Sequence, residues 1–186
     1  MTVPTIPIPF PLHRIAIIGN AGGGKSVLAR RLGRSLGLPV HSVDDVQWQP
    51  GWTRAPAGRV AERHAEWLAS DKWIIDGWGD WDLIAERFAA AEAIVVVDFP
   101  LRVHYRWALQ RQVEATLGLR RDWPPPGCAA LPITRRLLEV MRFVHRELRP
   151  TLLTLAGDPR HRDRVVHLRS PSELRRWRES VLAGGD

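Results

Sequence analysis

The sequence predicts an α/β fold, a parallel β-sheet covered by helices on both faces. Three observations predict it. Five short apolar runs, at 14–18, 38–43, 73–77, 93–97 and 164–168, alternate with stretches whose apolar residues recur at helical spacing, as expected of a sheet buried on both sides. A glycine-rich loop stands where the first run gives way to the first helical stretch. Acids stand at the C-terminal ends of three later runs: Asp44, Asp76 and Asp98. Ligands of open α/β sheets bind outside those ends, so loop and acids are expected along one edge.

The chain of 186 residues suits one domain, expected over 14–183. The first twelve residues carry four prolines and no basic cluster, so 1–13 is expected to be a loose arm rather than a secretory signal. Residues 14–18 form the first strand. In the following helix Val27, Leu28, Leu32 and Leu36 share a face, and Gly37 closes it. Strand two is expected to end in Asp44 and Asp45, with a turn at Gln49-Pro50-Gly51-Trp52. Pro56 opens a helix carrying Val60, His64, Trp67 and Leu68.

Strand three, 73–77, is followed by a helix over 81–91, and strand four, 93–97, ends in Asp98-Phe99-Pro100. A long arginine-bearing helix spans 101–117. The stretch 118–132 breaks pattern around three consecutive prolines and a glycine, and helix resumes over 133–155 with a kink or break at Pro150. After strand five, Ser170-Pro171-Ser172-Glu173 reads as a helix start with Ser at the cap and Glu three residues on.

The loop Gly19-Asn20-Ala21-Gly22-Gly23-Gly24-Lys25-Ser26 fits G-x-x-x-x-G-K-[ST] in full, the phosphate-binding P-loop. Backbone N–H groups and the positive helix end hold phosphate oxygens. Lys25 supplies charge for the β- and γ-phosphates, and Ser26 a hydroxyl for a bridging Mg²⁺. These eight residues and Val27 form the expected nucleotide-binding set.

Asp44 is placed to orient or deprotonate an acceptor hydroxyl, or to hold Mg²⁺ through water, with Asp45 as its backup. Either could instead be a turn or helix-cap acid. Asp76, after an apolar strand, is the candidate Mg²⁺ acid. Asp98 competes, but Pro100 close by favours a loop-shaping role. Among the arginines, Arg111 is the candidate for the migrating phosphoryl group. Arg120 and Arg121 lie in the broken stretch, and Arg142, Arg146 and Arg149 are spaced to share a helical face. Two arginine-bearing helices around a Pro/Gly loop, 118–132, read as a lid. Six of the nine tryptophans fall between Trp48 and Trp81, an acceptor region of about 44–81. There Trp48, Trp52, Trp78 and Trp81 are candidate substrate walls, while Trp67 and Trp73 read as core.

The net charge of +7 raises the question of nucleic acid. Only Lys25 and Lys72 are lysines, and no nucleic-acid-binding module is visible, so arginines that grip small phosphates explain the charge better. The single Cys128 excludes an internal disulfide and fits a reducing cytoplasm. No apolar run is long enough to span a membrane, and the scattered histidines lack zinc-ligand spacing.

On these residues the chain resembles the adenylate-kinase-like P-loop kinases, and more narrowly the bacterial proteins labelled topology modulation protein. The resemblance runs over about 14–178. It rests on the P-loop, Val43-Asp44 with Trp48-Gln49-Pro50-Gly51-Trp52, Trp73-Ile74-Ile75-Asp76-Gly77, Val97-Asp98-Phe99-Pro100, Arg111, Pro126-Gly127-Cys128 and Arg149-Pro150. It implies a three-layer P-loop fold with strand order 2-3-1-4-5 and a short lid. It also implies ATP as donor, Mg²⁺ as helper, Arg111 as a lid-side phosphate contact, and a small-molecule acceptor. Adenylate kinases carry Phe-Pro-Arg after the Asp-Gly of strand three, and that arginine holds the acceptor's phosphate. Trp78-Gly79-Asp80-Trp81 stands there instead, so a hydroxyl of a nucleoside, sugar or other small metabolite is expected as acceptor at least as readily as a nucleotide such as AMP. A nucleotide-dependent regulator associated with nucleic acid is the competing reading.

Overall fold

A computed structural model describes residues 11–120 and 122–183. The N-terminal arm, except for its last residues, Arg121 and the last three residues lie outside the described part. Five parallel strands form the sheet: β1 (Arg14–Gly19), β2 (Val40–Ser42), β3 (Trp73–Asp76), β4 (Ala93–Val97) and β5 (Val165–Leu168). Their spatial order is β2-β3-β1-β4-β5, the order the resemblance implies. The register sets Ile17 beside Asp76 and Gly19 beside Val97, so the P-loop and Asp76 emerge from adjacent strand ends.

Eight helices connect and cover the strands among the described residues: α1 (Lys25–Leu36), α2 (Val43–Gln47), α3 (Ala57–Leu68), α4 (Trp81–Ala90), α5 (Leu101–Thr116), α6 (Ala130–Phe143), α7 (Arg149–Ala156) and α8 (Pro171–Ala183). A one-turn π segment, Val144–Leu148, joins α6 to α7. None of these helices is long and apolar enough to cross a membrane.

Alternation along the strands sends residues to two separate cores. Ile15, Ile17, Val95 and Val97 pack with Leu28 and Leu32 of α1 and Val181 of α8. Ala16, Ile18, Ile75, Ile94 and Val96 pack on the other face with Trp67, Ile84, Phe88 and Leu152. Trp67 and Trp73 are core residues, at 7% and 0% exposure.

Three boundaries differ from the sequence expectation. Strand β2 stops at Ser42, and Asp44 and Asp45 sit in the first turn of α2, where acids suit the positive helix end. Helix α6 starts at Ala130, with Pro132 in its first turn, where the missing N–H has no intrahelical partner to lose. The broken stretch is therefore 118–129. The break expected at Pro150 is the π segment just before it, which places Pro150 at the start of α7. The last helix starts as expected. Ser170 Oγ accepts from the Glu173 N–H at 3.2 Å, and the Glu173 carboxylate accepts from the Arg169 N–H at 2.7 Å.

Asp98 shapes the fold. Its side chain is 8% exposed and takes two hydrogen bonds from Arg149, Nε to Oδ1 at 2.5 Å and Nη2 to Oδ2 at 2.8 Å. His167 Nε2 lies 2.7 Å from Oδ2. One carboxylate thus ties the end of β4 to α7 and β5.

Candidate active site

The P-loop is held open by its surroundings. Gly24 caps α1 in a left-handed conformation, φ 75°, with no side-chain hydrogen bond at the cap. The first-turn N–H groups are therefore free of any side-chain cap and open to an anion. Asn20 anchors the loop, donating Nδ2 to the Met141 carbonyl of α6 at 2.7 Å and accepting from the Ala21 N–H at 2.8 Å. Lys25 Nζ donates to the Asn20 carbonyl at 3.0 Å, so its ammonium lies across the loop. The glycines serve more than ligand approach. A Cβ on Gly22, whose φ is 68°, would stand 2.3 Å from the His104 carbonyl oxygen of α5. The loop is pressed onto that helix.

His104 is buried beneath the loop, its Nδ1 3.0 Å from the Ala21 carbonyl and its ring stacked on Phe99. Burial, with the nearby Lys25 charge, pushes its pKa down to about 4. His64, buried between α3 and α4 with Glu86 4.0 Å away, is pushed to about 4 by burial and by Arg87. Both rings are neutral in the native state near neutral pH. The unfolded chain binds these protons first, so stability is full above the unfolded value of about 6.5 and falls as pH drops toward 4. Urea unfolding should give about 2 kcal/mol less stability at pH 5.5 than at pH 7. A flat profile would show that the two rings are not buried neutral.

In front of the loop lies a cleft of about 800 Å³, within the range of small-molecule sites. The residues 22–26, Asp44, Asp45, Asp76 and Arg111 all line it. Asp76 is 2% exposed and lines the cleft with Ser26, its Oδ1 left without a partner among the described residues. Burial pushes its carboxyl up, against the opposing pull of Lys25 and of the neighbouring Ser26 hydroxyl. Asp45 is also raised, by burial and by its neighbour Asp44. The guanidinium of Arg111 stacks on Trp123, 3.8 Å from the ring centroid, and burial lowers its pKa to about 10, which leaves it charged.

Sequence reasoning placed other candidates here that the structure puts elsewhere. Arg149 is bound to Asp98, and Arg142 and Arg146 are exposed and away from the cleft lining. The π segment alters the spacing that would have aligned the three. Trp48 and Trp52 do not line the cleft either. They meet edge to face at 5.7 Å, and Trp52 lies 5.3 Å from Trp123. Trp78 packs on Trp81 at 5.8 Å, and its carbonyl accepts from the buried Arg87 at 2.7 Å.

The two tryptophans brace a seam. Residues 48–54 form a small hairpin that docks on the segment 118–129. The Gly51 N–H donates to the Gly127 carbonyl at 3.0 Å, and Trp52 Nε1 to the Ala129 carbonyl at 2.9 Å. Gly127, φ 75°, has Pro50 so near that a Cβ would lie 2.8 Å away. Asp122 also pairs with Arg30 of α1, and Arg120 with Glu114 at 3.0 Å. Sequence reasoning missed Trp123, Trp107, Arg30 and Arg178 as cleft residues. For Trp123 a signal existed, a lone aromatic beside the prolines of the broken stretch.

No family model matches the chain, and no curated protein matches it. Solved structures do. The chain is similar to a shikimate kinase from Acinetobacter baumannii in complex with shikimate, at 14% identity and a TM-score of 0.53, over 92% of both chains. It is similar to a gluconokinase from Sinorhizobium meliloti 1021, at 16% identity and a TM-score of 0.50, over 93% of this chain and 91% of that one. A shikimate kinase from Bacteroides thetaiotaomicron matches at 16% identity and a TM-score of 0.50, over 93% and 96%. At such identities the likeness is one of fold, and the fold is that of the small P-loop kinases.

Proposed function

We propose that the chain is an ATP-dependent phosphotransferase that moves the γ-phosphate to a hydroxyl of a small-molecule acceptor. The observation that carries the reading is convergence: an open P-loop with Ser26, and Asp76, Asp44 and Arg111, line one cleft. In this reading residues 14–183 act as one domain, and 118–129 is its lid. The P-loop N–H groups cradle the phosphates. Lys25 and Arg111 neutralise charge on the migrating group.

The all-oxygen donor set of Ser26 and Asp76 fits Mg²⁺, which takes few protein ligands and keeps waters and phosphates. The partnerless, buried Oδ1 of Asp76 is the observation that favours it. When bound, the ion would offset charge on the β- and γ-phosphates. Asp44 orients the acceptor hydroxyl and takes its proton. The acceptor oxygen bonds to phosphorus as the bond to the β-phosphate oxygen breaks, and that electron pair leaves with ADP.

A non-nucleotide acceptor is supported by Trp78-Gly79-Asp80-Trp81 following Asp76-Gly77, with no arginine where the adenylate kinases carry one for the acceptor phosphate. Solved kinases of this fold are named for shikimate and gluconate, so the fold is compatible with such acceptors. The cleft mixes six cationic with five acidic side chains among the described residues, which disfavours a polyanion groove. The test is transfer of labelled γ-phosphate from ATP–Mg²⁺ across a panel of sugars, hydroxy acids, nucleosides and nucleotides. An acceptor-dependent product supports the kinase. Only slow release of free phosphate, together with salt-resistant nucleic-acid binding, would sink it in favour of a nucleotide-switched regulator.

A further inference from the structure

The guanidinium of Arg111 makes no hydrogen bond or ion pair among the described residues, and its Nε is buried without a partner. What touches it is the face of Trp123, 3.8 Å away. A guanidinium stacked on a ring keeps its N–H donors in its own plane, free for a phosphate. The ring is itself fixed. Trp123 Nε1 donates to Gln112 Oε1 at 2.6 Å. Gln112, 4% exposed and next to Arg111 on α5, donates its Nε2 to the Ala130 carbonyl at 2.8 Å and to Thr134 Oγ1 at 2.9 Å. Trp52 of the hairpin supports the ring from 5.3 Å.

We propose that Trp123 is a positioning residue, a platform held by Gln112 and Trp52 that presents the Arg111 guanidinium to the γ-phosphate. This rests on the kinase reading of the same cleft. The role needs a flat π face, and the indole N–H serves only to hold that face in place through Gln112. Leucine, of similar bulk without that face, loses the role, and phenylalanine keeps most of it.

The test is calorimetric titration with a non-hydrolysable β,γ-imido ATP analogue and with ADP, using wild type, Trp123→Leu, Trp123→Phe, Arg111→Leu and the Arg111→Leu/Trp123→Leu double variant. Trp123→Leu should weaken the triphosphate about tenfold and ADP by less than about twofold. Trp123→Phe should stay within about threefold of wild type. In the Arg111→Leu background the same Trp123 change should cost less than about twofold, because its partner is gone. Equal losses in both backgrounds would overturn the proposal, since Trp123 would then act on the ligand or the fold directly. An unchanged triphosphate affinity in Trp123→Leu would overturn it as well. A wild type that binds neither nucleotide would instead overturn the kinase reading, and this inference with it.

Discussion

Lys25→Ala should lower acceptor-dependent phosphate transfer by about 10³-fold, the scale for removing a charge aimed at a migrating phosphoryl group. The ammonium rests 3.0 Å from the Asn20 carbonyl, so it is already placed and needs little rearrangement to meet phosphate. Its loss leaves the cradle itself intact: the Asn20 anchors to Met141 and Ala21 do not involve it. The fold should hold, and thermal unfolding should move little. The loss should fall mainly on kcat, because the charge matters most as the bond to the β-phosphate breaks. The measurement is steady-state transfer at saturating ATP–Mg²⁺. A variant with more than a tenth of wild-type kcat would remove Lys25 from the mechanism.

Asp98→Ala should cost about 3 kcal/mol of unfolding free energy, a large share of a typical domain's margin. The substitution strands Arg149 and His167, whose side chains are 39% and 25% exposed. Both regain some water, so the low end of the buried-pair range applies. Burial alone would raise the Asp98 carboxyl, but hydrogen bonds from His167 and Arg149 outweigh it and hold the group below the usual carboxylate range. A depressed acid contributes stability that is full above the unfolded value near 4 and is lost as pH falls through the folded value. Wild type should therefore lose stability below pH 4 that Asp98→Ala has already lost, and the two urea-midpoint curves should converge in acid. Parallel curves would show that the carboxylate is not paired in solution.

The strands were legible because a sheet covered on both faces writes itself as unbroken apolar runs, and the run at 93–97 became a strand with the same ends. The P-loop and the Ser170 cap were legible because their chemistry is local. The role of Asp98 was half legible: Pro100 pointed to a shaping residue, but its partners lie 51 and 69 residues away, beyond any local pattern. The arginines on α6 and its continuation do not share the expected face, for a physical reason. Helical spacing assumes 3.6 residues per turn, and the π segment between Arg142 and Arg149 breaks that count. Trp48 and Trp52 stand off the cleft for a different reason. Aromatics beside a turn look the same in sequence whether they face a ligand or another loop, and here they face Trp123 and each other.

The seam between hairpin 48–54 and segment 118–129 bears on how this scaffold can be re-engineered. Both pieces are inserts between core elements, and they grip one another through Gly51–Gly127, Trp52–Ala129 and the Trp52–Trp123 contact. They form one cassette written in two places along the chain. A graft that exchanges either piece alone breaks the seam, and one that exchanges both must carry over Trp123 and Asp122, which bind the cassette to Arg111, Gln112 and Arg30 of the scaffold.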